Sequence, residues 1–92
     1  MSNLEKTVKR IAEKHGVVYA RWANGADEKY YISYPHDDYK LLDSILSAVK
    51  RSKNAAVSDW DYRRGMVDVA SPETVERENR ERYMRIVNSG KM

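Results

Sequence analysis

Three aspartates, Asp59, Asp61 and Asp68, fall in a stretch of the chain that alternates in the manner of a β-hairpin. Two runs, 55–61 and 66–70, flank a four-residue loop, Tyr62-Arg63-Arg64-Gly65. That loop pairs Asp61 with Met66, Trp60 with Val67 and Asp59 with Asp68. The carboxylates and Met66 then share one face, and Ser58, Trp60, Val67 and Val69 share the other. A slip of one residue would set Trp60 beside Asp68 and bury a carboxylate, so the pattern selects this register. Three carboxylates on one face are the donor type for a hard divalent cation such as Mg²⁺, the basis of metal-dependent phosphodiester hydrolysis. No lysine or histidine stands within the motif to act as base. The same residues read equally as an acidic docking patch or as a solvated strand face. Like charges set directly opposite each other are destabilising, so Asp59 and Asp68 call for a compensating group inside or outside the chain.

Two cationic groups stand nearby in sequence. Lys50, Arg51 and Lys53 are of the type that grips phosphates, and their place at a helix end also suits the helix dipole. Arg63 and Arg64 sit at a hairpin tip, where a pair of guanidiniums can meet carboxylates bidentately or enter a groove, although free charge commonly collects in loops. The aromatic balance is unusual: seven tyrosines, two tryptophans and no phenylalanine. Trp22 and Tyr31, with Lys29 beside them, are placed to stack bases or to anchor a protein interface, where Trp, Tyr and Arg dominate the energy. The plain reading is that a helix covers them as a second half of the core. His36 with Asp37 and Asp38 contains metal-ligand types, but Pro-His-Asp-Asp before an apolar run reads as a helix start. His15 reads as a helix-end residue at the edge of the core. No glycine-rich phosphate loop, nucleophile elbow or zinc-protease motif occurs.

The elements that must position these residues follow from periodicity. Leu4, Val8, Ile11, Ala12 and His15 stack on one face of a helix over 3–15, opened by Ser2 with Glu5 as a capping box and closed by Gly16. Residues 17–22 and 28–34 form a hairpin around Asn24-Gly25, pairing Arg21 with Glu28, Tyr19 with Tyr30 and Val17 with Ile32. A second helix runs over 39–51, capped by Asp37 or Asp38, striped by Leu42, Ile45, Leu46 and Val49 and stopped by Asn54. A third runs from Ser71-Pro72 to about Asn88, before Gly90. It carries four Glu-to-Arg pairs at i,i+4: Glu73–Arg77, Glu76–Arg80, Glu78–Arg82 and Glu81–Arg85. Its apolar edge, Val75, Tyr83, Ile86 and Val87, predicts packing through the C-terminal half. The helix either lies flat on the sheet or extends from the body to meet a second copy, giving a homodimer.

Ninety-two residues suit a single α+β domain over 1–92 in the order α-β-β-α-β-β-α, with antiparallel hairpins packed by helices. The net charge of +3 permits nucleic-acid contact without requiring it. Charge alternates in blocks: four cations stand against two carboxylates in residues 1–16, and three cations stand alone in residues 49–54. Without cysteine there is no disulfide, no thiolate zinc site and no cysteine nucleophile. Neither a membrane span nor a signal core is evident, which predicts a cytoplasmic protein. No cofactor is expected. These features point first to a non-enzymatic binding module that occludes a surface of a larger protein or nucleoprotein complex, of the size and composition of small phage-borne inhibitors aimed at host or defence machinery. Trp22, Lys29, Tyr31, Asp59, Asp61, Arg63 and Arg64 are its expected contacts. The alternative is direct nucleic-acid binding through Lys50, Arg51, Lys53, Arg63 and Arg64. A second alternative is a metal-dependent nuclease on Asp59, Asp61 and Asp68.

Overall fold

A computed structural model of the chain describes residues 1–23 and 27–89, with side chains as far as residue 85. The elements are α1 (Asn3–Lys14), β1 (Val18–Arg21), β2 (Lys29–Ser33), α2 (Tyr39–Arg51), β3 (Ala56–Asp61), β4 (Met66–Ala70) and α3 (Pro72–Ser89). The four strands make one antiparallel sheet in the order β1-β2-β4-β3. The α+β architecture expected from the sequence is the one that forms. Among the described residues no helix is long and apolar enough to cross a membrane.

Both leading helices are set by their caps and stripes. The Ser2 hydroxyl accepts the Glu5 amide at 3.0 Å. Only half of the capping box forms, because the Glu5 carboxylate accepts the hydroxyls of Tyr19 and Tyr30 instead. Asp38 caps α2 by accepting the Leu41 amide at 3.0 Å. The α1 stripe of Leu4, Val8 and Ile11 and the α2 stripe of Leu42, Ile45 and Val49 are buried together against Tyr30, Ile32, Val67 and Val69 of the sheet. Ser52, not Asn54, ends α2. The Asn54 amide instead ties the following turn to α1, donating to the Asn3 carbonyl and accepting from the Thr7 hydroxyl, each at 3.0 Å.

Three expectations need correction. The first hairpin pairs Tyr19 with Ile32 and Arg21 with Tyr30, two residues away from the expected register. A two-residue shift keeps every side chain on its face, so burial does not oppose it, and β2 remains aligned with β4 through Ile32 opposite Val67. The Asn24-Gly25 turn lies outside the described residues, as does Gly90. The second hairpin has the expected pairing at its tip, but a β-bulge between Val57 and Asp59 inserts Ser58. Val57, opposite Val69, therefore takes the core position assigned to Ser58. The third correction is α3, which packs through its N-terminal half. Pro72, Thr74, Val75 and Glu78 are half-buried, whereas residues 79–85 are exposed, Tyr83 and Met84 among them. The side chains of Ile86 and Val87 lie outside the description. Among the described residues, polar ties join half-buried Pro72 and Val75 in holding this helix. Glu78 accepts from Lys29 Nζ at 2.7 Å and from the Ser58 hydroxyl at 3.1 Å, and Arg77 pairs with Asp27. Of the i,i+4 pairs, Glu76–Arg80 forms at 3.1 Å, while Arg77 and Glu78 turn to the sheet side.

Candidate functional site

Helices α1 and α2 cover one face of the sheet; α3 reaches only one end of the other. The pairings align Ala20, Tyr31, Asp68 and Asp59 in a row across all four strands on that second face. A parallel row runs through Val18, Ser33, Met66 and Asp61. Near the first row the Trp22 and Tyr31 rings meet at 5.1 Å between centroids, tilted by 56°. The Trp22 indole Nε1–H donates to Asp68 Oδ1 at 3.0 Å, which fixes the ring across the sheet. Trp22, Asp59, Trp60, Asp61, Arg64, Met66 and Asp68 line one hollow. Trp22 and three carboxylates thus border a single concavity on this face, which Trp60 also lines from the edge strand.

Trp60 departs from the inward position that alternation gave it. It shares a row with the fully buried Val67, yet 53% of its surface is exposed. β3 is the edge strand, so no further strand flanks Trp60 on its outer side. Trp22 is also open, at 36%. Burial raises the Asp68 pKa above its ordinary value, and the charges of Asp59 and Glu78 add to the rise. The indole hydrogen bond and Lys29 act in the opposite direction. A carboxyl whose folded pKa is raised contributes stability that is fully present below its unfolded pKa and is lost as pH rises through the folded one. Asp68→Asn retains an acceptor for Trp22 without the charge. It is expected to raise Tm by a few degrees at pH 7, with the gain disappearing towards pH 3, as measured by scanning calorimetry.

The other expected site residues divide. Asp61 Oδ1 accepts the amides of Arg63 and Arg64 at 3.0 and 3.3 Å, so part of its role is to close the turn. Arg64 lies 3.7 Å from the same carboxylate, and Arg63 is exposed. Lys29 is committed to Glu78 and is a tie between sheet and helix rather than a free contact. Asp59, Asp61 and Asp68 share a face but do not converge. Among the described residues no three carboxylate or imidazole groups come close enough to hold a metal ion. Asp38, in the other acidic cluster, is used as a helix cap.

The residues of the nucleic-acid reading are also not brought together. The tip with Arg63 and Arg64 is fastened beside the start of α2, since the Tyr34 amide donates to the Gly65 carbonyl at 2.8 Å. Lys50 and Arg51 lie in the last turn of the same helix, roughly 18 Å away at 1.5 Å per residue. Two other cations join them instead: Arg10 and Lys14 of α1 border a groove with Arg51 and Lys53. Sequence reasoning passed over this pair, although their i,i+4 spacing and the positive balance of residues 1–16 were the available signals. Trp60 was missed because strand order, which makes β3 an edge, is not written in local alternation.

Comparison with protein families, with curated proteins and with solved structures yields no match. The functional reading therefore rests on the chemistry of these surfaces.

Proposed function

We propose that the protein is a non-catalytic binding module that docks a basic segment of a larger protein on the uncovered sheet face. The observation that carries this reading is the hollow in which both indoles of the chain are half-open and stand beside Asp59, Asp61 and Asp68. Aromatic faces attract lysine and arginine through the ring quadrupole, and carboxylates beside them supply the charge and the hydrogen-bond acceptors. A cation entering here also supplies the compensation that the facing Asp59 and Asp68 require. Large half-exposed aromatics at the centre of a patch are the residue types that dominate interface energies. The Arg63 and Arg64 guanidiniums stand at the rim, where they favour a partner whose basic segment is flanked by acidic residues. Inhibition by occlusion of the partner's surface is the mode of action this reading entails.

The two tryptophans are the only ones in the chain, so tryptophan emission excited selectively reports on the residues that line this hollow. Titration with an arginine- and lysine-rich peptide is expected to give a saturable change in tryptophan emission, with no change for a glutamate-rich peptide of equal length. Trp60→Ala should weaken peptide binding by about 30-fold or more, the loss that marks a hot-spot aromatic, as measured by calorimetry. Because Trp60 is exposed, Tm should move little. An emission spectrum unaltered by millimolar basic peptide would remove the reading.

A further inference from the structure

We propose that the groove between the C-terminal ends of α1 and α2 is a second, independent site that binds the phosphate backbone of a nucleic acid. Arg10 and Lys14 border it from α1, Arg51 from the last turn of α2, and Lys53 from the turn that follows. A neighbouring hollow continues it through Arg51 to Lys50 and His15, with Asp43 also in its lining. All five lysines and arginines are exposed, and none of them forms an ion pair among the described residues. Arg51 is steadied by donating Nε–H to the Ser47 carbonyl at 3.3 Å.

Helix dipoles explain part of this charge but not all of it. Cations in a last turn answer the partial negative charge of the helix end, an effect that fades within that turn. Lys14, Lys50 and Arg51 fit that account. Arg10 stands a turn earlier in α1, and Lys53 lies beyond the end of α2. Both add to the groove without a dipole to satisfy. Five cations and Asp43 give this end a charge of +4 in a chain of net charge +3, which leaves the rest of the protein at −1, so positive charge concentrates here. Such a field attracts polyanions.

The groove's lining contains no aromatic ring, so bases have no stacking platform. Contact is with phosphates, which carry no sequence information. Duplex DNA and RNA share that chemistry. The reading is separate from peptide docking on the sheet face, since the residues differ and the acidic hollow repels phosphate.

The test is fluorescence anisotropy with a labelled 20-base-pair DNA duplex, a labelled RNA hairpin of similar length and a labelled polyglutamate peptide. Four groove cations predict a fall in duplex affinity of about a hundredfold between 50 and 200 mM salt. Arg51→Glu with Lys53→Glu is expected to abolish binding at 50 mM salt while the melting temperature falls by no more than a few degrees, the cost of reversing the Arg51 charge at the α2 C-terminus. Arg63→Glu with Arg64→Glu, at the far end of α2, should alter it less than threefold. Preference between duplex and hairpin decides which nucleic acid is the ligand. No anisotropy change at 50 mM salt with either nucleic acid would overturn the proposal, as would equal binding of polyglutamate or equal loss in the tip variant. Trp60→Ala should leave nucleic-acid binding intact, so failure here is distinguishable from failure of peptide docking.

Discussion

Gly65→Ala is expected to destabilise the protein by about 3–5 kcal/mol, while Gly16→Ala costs only about 1–2 kcal/mol. Both glycines have a left-handed backbone, with φ of +68° and +67°. An alanine at either place bears the conformational penalty of an L-residue in that region. The surroundings separate them. A Cβ at Gly16 meets nothing within 4 Å, whereas a Cβ at Gly65 lies 2.1 Å from the Tyr34 carbonyl oxygen and 3.2 Å from the His36 nitrogen. Those are backbone atoms, which cannot rotate aside as a flexible side chain can. The Tyr34 amide also holds the Gly65 carbonyl at 2.8 Å, so moving the loop breaks that bond. Against the 5–15 kcal/mol typical of a folded domain, this is a large share of the whole. Urea denaturation of the two variants checks it. Equal midpoints for the two would show that the close approach of the tip to the β2–α2 connection does not matter. The position bears on function because the same loop carries Arg63 and Arg64 and adjoins Trp60.

The second large effect concerns Tyr30, and it appears in alkali. Its side chain is 1% exposed, and its hydroxyl donates to Glu28 and, at 3.4 Å, to Glu5. Burial, reinforced by the Glu28 carboxylate, pushes its pKa up from 10.0 to about 12. The folded state therefore keeps a proton that the unfolded chain has released, and stability falls as pH rises from about 10 to about 12. Two pH units correspond to about 2–3 kcal/mol. Tyr19 and Tyr34 are also raised by burial and add to the same limb. Tyr30→Phe is expected to cost about 1.5–3 kcal/mol at pH 7, the range for a hydrogen bond to a charged group. It should also flatten most of the alkaline decline. Tyr34→Phe is the contrast. The Tyr34 hydroxyl is buried without a partner among the described residues, so its removal should leave stability at pH 7 unchanged or higher. Unfolding curves at pH 7, 10 and 11.5 measure both. A Tyr30→Phe profile parallel to that of the parent protein would refute the assignment. At the acid end the direction is opposite for Glu28, whose carboxyl is held below its ordinary value first by the Ser2 hydroxyl and then by Tyr30. Its contribution is present above its unfolded pKa and lost as pH falls through the folded one.

Local chemistry made most of the fold legible. The helix over 39–51, the strand over 66–70 and the tip pairing of Asp59 with Asp68 all have the expected limits. They rest on signals a few residues long: an Asp cap, an apolar stripe with a 3.6-residue period, and alternation around Gly65. The order of elements follows from the same periods, as does the side of the sheet to which each strand residue points outside the bulge at Ser58. That is why the first hairpin could shift by two residues without moving Tyr30 or Ile32 from the core. The candidate surfaces were legible only in pieces. Sequence alone named Trp22, Tyr31 and the three aspartates, and it named Lys50, Arg51 and Lys53. Tertiary structure decided which of them meet. The order β1-β2-β4-β3 put β3 at an edge and opened Trp60 beside the aspartates. Packing of α1 on α2 set Arg10 and Lys14 beside Arg51 and Lys53 and left Arg63 and Arg64 a helix length away. Lys29, placed by alternation on an open face, was taken up by Glu78 from a helix forty-nine residues later. Periodicity specifies which way a side chain points from its own element; what it then faces depends on neighbours distant in the chain, and no local pattern encodes them.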